Sequence, residues 1–187
     1  MARAQRAIST TSSEAIKISD KQRKGRAVNA VAELLQRRLL VPKIFLESKG
    51  LIFSGGLPAN LRTIDVLAID RAGSGDIYIV EFKLCNADIS TSGAILSRSI
   101  KTLLNTVPAH FKYLAVDSGT FNFVSQQQLF AKDGIGRIGI IEIIENPSAP
   151  PEARIAIQAE RFRVEHSWIK KFDSFQRKIT ADIEIRG

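Results

Sequence analysis

The sequence has little of what disulfide, zinc or imidazole chemistry requires. Its single cysteine, Cys85, excludes a disulfide framework and a cysteine-rich zinc site. Two histidines, His110 and His166, leave little room for a catalytic triad or a histidine metal centre. No apolar run approaches the roughly 18–20 residues that span a bilayer, and no secretory segment follows the first residues. We therefore expect a cytoplasmic protein with no membrane partner.

The composition is typical of a folded and basic protein. Hydrophobic residues make up 44% of the 187 positions, which is enough for a core and suggests one domain. The 27 basic and 19 acidic side chains give a net charge of +8. A basic surface suits the phosphates of a nucleic acid, but many basic proteins bind none, so charge alone leaves both possibilities open.

The spacing of apolar residues predicts alternating helices and strands. A helix from Ser19 or Asp20 to Leu40 precedes an irregular or short-stranded stretch over 43–63. The later elements are predicted as strands 63–70 and 76–84, helix 91–105, strand 111–116, helix 122–132, strands 138–144 and 155–159, and helix 165–177. Because both faces of the strands predicted over 63–70 and 76–84 are apolar, helices are expected on each side of the sheet. The order predicts an α/β sandwich.

The runs 63–70 and 76–84 are separated by a five-residue loop, which predicts a β-hairpin. In that register Asp70 faces Asp76 and Asp65 faces Glu81, and alternation along the strand gives Lys83 the same face as Glu81. Two opposed carboxylates among apolar neighbours repel each other, and a divalent cation such as Mg²⁺ resolves that conflict. The alternative is a surface hairpin end at which Glu81 pairs with a neighbouring cation.

Asp65, followed after fifteen residues by Glu81-Phe82-Lys83, resembles the motif of the PD-(D/E)XK nuclease superfamily. The likeness covers about residues 20–116. It implies an α/β, restriction endonuclease-like fold, in which helices flank a mixed central sheet in the order α-β-β-β-α-β, with a C-terminal strand and helix extension. A single nuclease-like domain over 19–187 would follow a flexible basic tail over 1–18. Thr63-Ile64 stands where the proline of the family motif would be.

The resemblance also implies a set of site residues and a reaction. Asp65, Glu81 and the backbone carbonyl of Phe82 would bind Mg²⁺, with Mn²⁺ as a possible substitute. Lys83 would position the attacking water, and Glu33 on the first helix would complete the catalytic set. The reaction would be hydrolysis of DNA phosphodiesters in repair, recombination or restriction, and many such nucleases act as homodimers. The sequence does not separate DNA from RNA as the substrate.

Basic residues on two predicted helices have more than one interpretation. Arg98 and Lys101 share a helix face and would hold a DNA phosphate, but an ordinary solvated face accounts for them equally well. A basic run at the start of the first helix opposes the helix dipole, and either a phosphate-contacting patch or a frayed end explains it. The run comprises Lys21, Arg23, Lys24 and Arg26.

A function from a different class is a non-catalytic module that keeps the nuclease fold and binds nucleic acid or protein. The intact set of Asp65, Glu81 and Lys83 argues against it, because a binding module has no need for the acidic pair. A metabolic enzyme with a small anionic substrate has no motif to support it. The sequence therefore favours a Mg²⁺-dependent nuclease.

Overall fold

The computed structural model describes residues 19–46, 52–53, 62–63, 65–72, 75–84, 108–126, 137–146 and 148–164. The elements in these ranges are α1 (Asp20–Arg38), β1 (Pro42–Leu46), β2 (Ile52–Phe53), β3 (Arg62–Thr63), β4 (Val66–Asp70), β5 (Ile77–Lys83), β6 (Phe111–Asp117), α2 (Ser118–Gln126), β7 (Gly139–Ile144) and β8 (Glu152–Ile157). The predicted helices over 91–105, with Arg98 and Lys101, and over 165–177 lie outside the described residues.

Six of the strands form one mixed sheet in the order β1-β4-β5-β6-β7-β8. The three central strands β5, β6 and β7 run parallel, while β1, β4 and β8 pair antiparallel with their neighbours. Strands β2 and β3 form a separate antiparallel pair. The architecture is thus mixed α/β, as predicted. In the described part of the chain, no helix is long and apolar enough to cross a membrane.

Helix α1 begins with a capping box and packs on one face of the sheet. The Ser19 side chain accepts a hydrogen bond from the Gln22 amide, and the Gln22 side chain accepts one from the Ser19 amide. The helix ends at Arg38, two residues before the predicted end. It buries an apolar stripe made of Ala27, Val28, Ala30, Val31, Ala32 and Leu35. The sheet side of this core comes mainly from Val66, Ala68, Val80, Phe82, Tyr113, Ala115, Ile141 and Ile143.

The opposite face of the sheet is also buried. Its strand residues alternate with those that face α1, and they include Leu67, Ile69, Ile77, Ile79, Leu114 and Ile140. Both faces of the central strands are therefore buried, and α1 is the helix that covers one of them. The prediction of helices on each side of the sheet is confirmed for that face.

The β4–β5 hairpin has the predicted register. Four pairs match it: Val66 with Val80, Leu67 with Ile79, Ala68 with Tyr78, and Ile69 with Ile77. At the loop, the Asp70 amide donates to the Asp76 carbonyl over 2.9 Å. Gly75 closes the turn with a φ of 70°, a conformation that side chains with a β-carbon rarely adopt.

The stretch 43–63, predicted as irregular or short-stranded, begins with the short edge strand β1, which is paired along its length with β4. The predicted starts of two later elements are wrong. Helix α2 starts four residues before its predicted start, because the Asp117 carboxylate accepts the Thr120 amide over 2.8 Å and caps the first turn. Strand β8 starts three residues before its predicted start.

Candidate active site at the carboxyl edge of the sheet

One edge of the sheet gathers the ends of the three parallel strands. Strand β5 ends there at Lys83, β6 at Asp117 and β7 at Ile144, while the antiparallel strand β4 begins there after Asp65. We call this the carboxyl edge, and the opposite end of the same strands the amino edge. In open α/β sheets, ligands bind outside the carboxyl ends of the parallel strands. The predicted motif therefore lies at the edge where a site is expected.

Asp65 is a buried carboxylate that extends the β4–β5 ladder with its side chain. Along an antiparallel pair of strands, hydrogen-bonded and non-hydrogen-bonded residue pairs alternate, so every second pair is hydrogen-bonded. Since Asp70 and Asp76 are a bonded pair, the amide and the carbonyl of Phe82 face the β4 side. The last described pair is Val66 with Val80, and the Phe82 amide donates to Asp65 Oδ2 over 2.7 Å. The first residue of the motif is thereby fixed to the centre of Glu81-Phe82-Lys83.

Asp65 also forms an ion pair with the first helix. Lys24 Nζ lies 2.6 Å from Asp65 Oδ1. The Asp65 side chain is 8% exposed and the Lys24 side chain 43% exposed, so a buried anion is paired with a cation that reaches solvent. The sequence alone gives Asp65 no cationic partner. Lys24 lies in the basic run that the sequence identified, but its pairing with Asp65 was not predicted.

Glu81 and Lys83 flank the position where Asp65 is attached. Both are partly buried and share one sheet face, as predicted, and that face points away from α1. Their neighbours on the parallel strand β6 are Leu114 and Val116, both buried. An apolar floor of this kind lowers the local dielectric and strengthens the field of the charged side chains above it. The structure therefore brings Asp65 to the backbone between Glu81 and Lys83.

Glu33 is not brought to this group. It is exposed on α1, nine residues beyond Lys24. Nine residues correspond to about 13 Å along the helix axis and to half a turn around it. Because Lys24 is the α1 residue that reaches Asp65, the side chain of Glu33 lies on the other side of the helix. The predicted catalytic contribution of Glu33 has no support in this geometry.

Two other residues of the basic run attach α1 to the end of β6 and to the residues between β7 and β8. Arg23 pairs with Asp117 over 3.5 Å and with Glu145, and Arg26 donates to the Ala149 carbonyl over 2.7 Å. Burial alone would lower the pKa of Arg23, but the nearby carboxylates raise it above its ordinary value. Part of the run therefore joins helix to sheet, a use that was not among the sequence interpretations.

Sequence reasoning missed a second buried carboxylate. Glu142 in the central strand β7 is 4% exposed, and its Oε2 accepts from Arg154 Nε over 2.8 Å and from Nη2 over 2.7 Å. Arg154 lies directly opposite on β8, and Glu142 lies beside Val116 on the face that carries Lys83. The available signal was the one charged residue in the apolar run 138–144. A glutamate there needs a cross-strand cation to offset its burial.

The donor set suits Mg²⁺ bound by few protein ligands rather than a closed cage. Within the described ranges, no three His, Cys, Asp or Glu side chains form a group that could hold a metal. Mg²⁺ usually keeps several waters and binds one or two carboxylates together with substrate phosphates. Asp65 meets one part of this requirement, because its anchored carboxylate already attracts a cation to Oδ1. Glu81, on the adjoining strand, is the second carboxylate of the predicted motif.

Comparison with known proteins yields two solved structures of low similarity. One is an XisH family protein from Nostoc punctiforme PCC 73102, with a TM-score of 0.40 and 15% identity, matched over 74% of this chain and 98% of that chain. The other is an fdxN element excision controlling factor protein from Anabaena variabilis, with a TM-score of 0.41, 14% identity and coverages of 75% and 98%. Neither a family model nor a curated protein matches the sequence.

Proposed function

We propose that this chain is a metal-dependent nuclease of the PD-(D/E)XK type, with a restriction endonuclease-like fold, that hydrolyses phosphodiester bonds of DNA. One observation supports the proposal most directly: the hydrogen bond from the Phe82 amide to Asp65 joins the two halves of the motif at the carboxyl edge. The predicted hairpin register, which the structure confirms for the neighbouring pairs, gives this arrangement its basis.

In this proposal the acidic residues of the motif bind the metal, and the lysine acts on the water and the phosphate. Asp65 and Glu81 would hold Mg²⁺, with the Phe82 carbonyl as a further ligand. A metal held there would supply Lewis-acid polarisation of the phosphate and positive charge opposite its oxygens. Lys83 projects from the same face as Glu81, where its ammonium orients the attacking water and stabilises negative charge on the phosphate oxygens. The buried floor beneath these side chains limits access of bulk water.

The net charge of +8 supports a polyanionic substrate. Arg98 and Lys101 remain predicted phosphate contacts. If each contacts one phosphate, replacing both should reduce the slope of log K against log [salt] by about two. Affinity for a DNA duplex measured at several salt concentrations gives that slope, and an unchanged slope would assign both residues to a solvated face.

A non-catalytic binding module is the second candidate, and the Lys24–Asp65 ion pair favours it. A carboxylate that is neutralised by a lysine and anchored by an amide needs no metal to be stable in the fold. In that case the acidic motif would be a structural element that joins α1 to the hairpin, and the basic surface would bind nucleic acid without cutting it.

The deciding experiment combines cleavage with metal binding. Purified protein is incubated with plasmid, linear and branched DNA in Mg²⁺, Mn²⁺ or EDTA, and its melting temperature is measured with and without metal. We expect cleavage only with metal, and a higher melting temperature in millimolar Mg²⁺. Asp65→Asn combined with Glu81→Gln should abolish both effects and remain folded.

The matched control is Glu152→Gln, which neutralises an exposed carboxylate at the start of β8 and should change neither cleavage nor metal response. Binding of DNA without cleavage of any form in either metal would favour the binding module. A wild-type melting temperature that does not respond to metal would count against the metal site itself.

A further inference from the structure

The ion pair between Lys24 and Asp65 is asymmetric in how firmly each partner is held. Asp65 is buried, and its second oxygen is fixed by the Phe82 amide at 2.7 Å. Lys24 is close to half exposed and carries its ammonium on a flexible four-carbon stem. A competing cation can therefore displace the lysine without moving the carboxylate.

The rest of the helix start is fastened independently of Lys24. The capping box closes the first turn, Arg23 binds Asp117 and Glu145, and Arg26 binds the Ala149 carbonyl. These contacts hold the backbone of α1 over the carboxyl edge. Release of the Lys24 ammonium would thus be a side-chain movement and would not require the helix to leave the sheet.

A divalent metal bound to Asp65 Oδ1 would compete with Lys24 for that oxygen. The ammonium lies 2.6 Å from Asp65 Oδ1, and Mg²⁺ binds a carboxylate oxygen at about 2.1 Å. The two cations on one oxygen would be about 4 Å apart or less. At that distance two unit charges repel each other by about 1–4 kcal/mol for effective dielectric constants of 80 to 20, and the second charge of the metal adds to this.

We propose that Lys24 is an exchangeable counter-ion of Asp65: it neutralises the carboxylate in the metal-free protein, and a divalent metal displaces it. The inference rests on the proposed metal site and adds a regulatory property to it. Lys24 sets the metal concentration at which the site fills, while it protects the metal-free fold from an uncompensated buried charge. The site therefore has two stable states, one with lysine and one with metal.

The test is calorimetric titration with MgCl₂ or MnCl₂ alone, at constant ionic strength, of the wild type, Lys24→Met and Lys21→Met. Methionine keeps an unbranched apolar stem and removes the ammonium. Lys21 is exposed on the same helix and gives the same change in net charge. We expect Lys24→Met to bind the metal about tenfold more tightly, because no ammonium has to be displaced. Lys21→Met should stay within about twofold of the wild type, because the Lys21 charge is exposed to solvent and screened by salt.

Melting temperatures provide a second readout that does not depend on catalysis. Without metal, Lys24→Met should melt below the wild type, and its melting temperature should rise more on metal addition. Lys24→Arg covers the case in which the methionine variant fails to fold, because it keeps the charge. A guanidinium can hold the carboxylate at two points, so metal binding should become weaker than in the wild type.

The outcomes separate this inference from the proposed function. Equal metal affinity in the wild type and Lys24→Met, or in the wild type and Lys24→Arg, would overturn the counter-ion role and leave the metal site in place. Weaker binding in Lys24→Met would also overturn it, because Lys24 would then support the metal. If none of the proteins binds either metal, the proposed site and the counter-ion role both fail.

Discussion

The two ends of strand β4 each hold an aspartate, and they hold it by different means. Asp70, at the amino edge, accepts hydrogen bonds from three backbone amides: Leu40 at 3.1 Å, Val41 at 3.0 Å and Ala72 at 3.0 Å. Asp65, at the carboxyl edge, accepts the Phe82 amide and also pairs with the exchangeable side chain of Lys24. Backbone donors are fixed by the fold, whereas a lysine can be exchanged. The comparison indicates a structural role at the amino edge, and a chemical role at the carboxyl edge is what we propose.

Other side chains at the amino edge also have structural roles. His110 is buried, and its Nδ1 accepts the Ile77 amide over 3.0 Å at the start of β5. Arg161 pairs with Asp76 over 2.7 Å beside it. Gly139, which starts β7, lies against the Tyr113 ring. Changes at this edge should therefore alter stability, and changes at the carboxyl edge should alter activity.

Replacing Lys83 should give the largest effect and should leave the fold unchanged. Lys83 is proposed to act on the water and on the developing charge, so Lys83→Ala should lower the cleavage rate about 10²–10³-fold, as for loss of one electrostatic stabiliser. Metal and DNA binding should remain near wild-type levels. Single-turnover cleavage, metal titration and DNA binding measure the three quantities.

Lys83→Met is the control, because it keeps the apolar stem and removes only the ammonium. The cleavage rate should fall by the same factor in Lys83→Ala and Lys83→Met. Cleavage by Lys83→Ala at the wild-type rate would show that the motif is misassigned, even in an active nuclease.

Gly139→Ala tests the amino edge by overpacking. A β-carbon at this position would lie 2.6 Å from the Ala159 backbone nitrogen and would overlap the Tyr113 ring. We expect the free energy of unfolding to fall by about 1–3 kcal/mol, the usual cost of an overpacked core. Chemical denaturation measures the loss.

Gly25→Ala is a matched glycine replacement. Gly25 lies in α1 with open space around the position of a β-carbon, so alanine should not destabilise the protein. Equal stability of the two variants would mean that β7 and β6 can separate more easily than their contact suggests.

Asp70→Ala should remove a carboxylate that the fold holds in its charged form. Burial would raise the pKa of Asp70, but the amides of Ala72, Val41 and Leu40 hold it below its ordinary value of 3.8. The unfolded chain then binds the proton more readily, so the contribution to stability is present above about pH 4 and is lost as pH falls through the lower, folded pKa. We expect a loss of about 1–2 kcal/mol at neutral pH.

Urea denaturation at pH 7 and at pH 3 provides the comparison for Asp70. The difference in the free energy of unfolding between the wild type and Asp70→Ala should be smaller at pH 3 than at pH 7. Cleavage activity at neutral pH should stay close to that of the wild type, because Asp70 lies at the other end of β4 from Asp65. A variant that folds normally but loses metal-dependent cleavage would contradict the division between the two edges.

Replacing His110 should give the smallest effect, which is a change in how the free energy of unfolding depends on pH. Burial lowers the pKa of His110 below its ordinary value of 6.5, although Asp76 opposes this effect. Below about pH 6.5 the unfolded chain therefore takes up a proton that the folded chain does not, and stability falls with falling pH toward the folded pKa. Protonation of Nδ1 would also remove the acceptor of the Ile77 amide.

His110→Asn keeps an acceptor near the Nδ1 position and has no titration in this range. Compared with the wild type, its free energy of unfolding should change less between pH 7 and pH 5.5, by under about 1 kcal/mol. Identical pH profiles would remove His110 from the groups that stabilise the amino edge.

The hairpin was predictable from the sequence because its information is local. The five-residue loop, the alternation and the two apolar runs together determine which residues face each other, and the structure agrees for Leu67 with Ile79 and for Ile69 with Ile77. The capping box at Ser19 is local in the same way. These features depend on residues a few positions apart.

The partners of Asp65 and Glu142 were not predictable by the same reasoning. Lys24 lies 41 residues from Asp65, and only the packing of α1 on the sheet brings them together. Helical periodicity identified the buried stripe but not the strand end that Lys24 would reach, and the family resemblance pointed to Glu33 instead. Arg154 meets Glu142 across the β7–β8 pair, whose register has a shift near Ile140 and Ile141 that the sequence does not reveal.

The contacts at the start of α1 also bear on the order of folding. This helix is near the beginning of the described chain, yet Arg23 binds partners 94 and 122 residues away, and Arg26 binds one 123 residues away. Such contacts require long loops to close, so they form after the local hairpin. We expect φ-values near zero for Arg23 and Arg26, so that replacing them speeds unfolding and leaves the folding rate almost unchanged. The candidate site would thus be among the last parts of the protein to form.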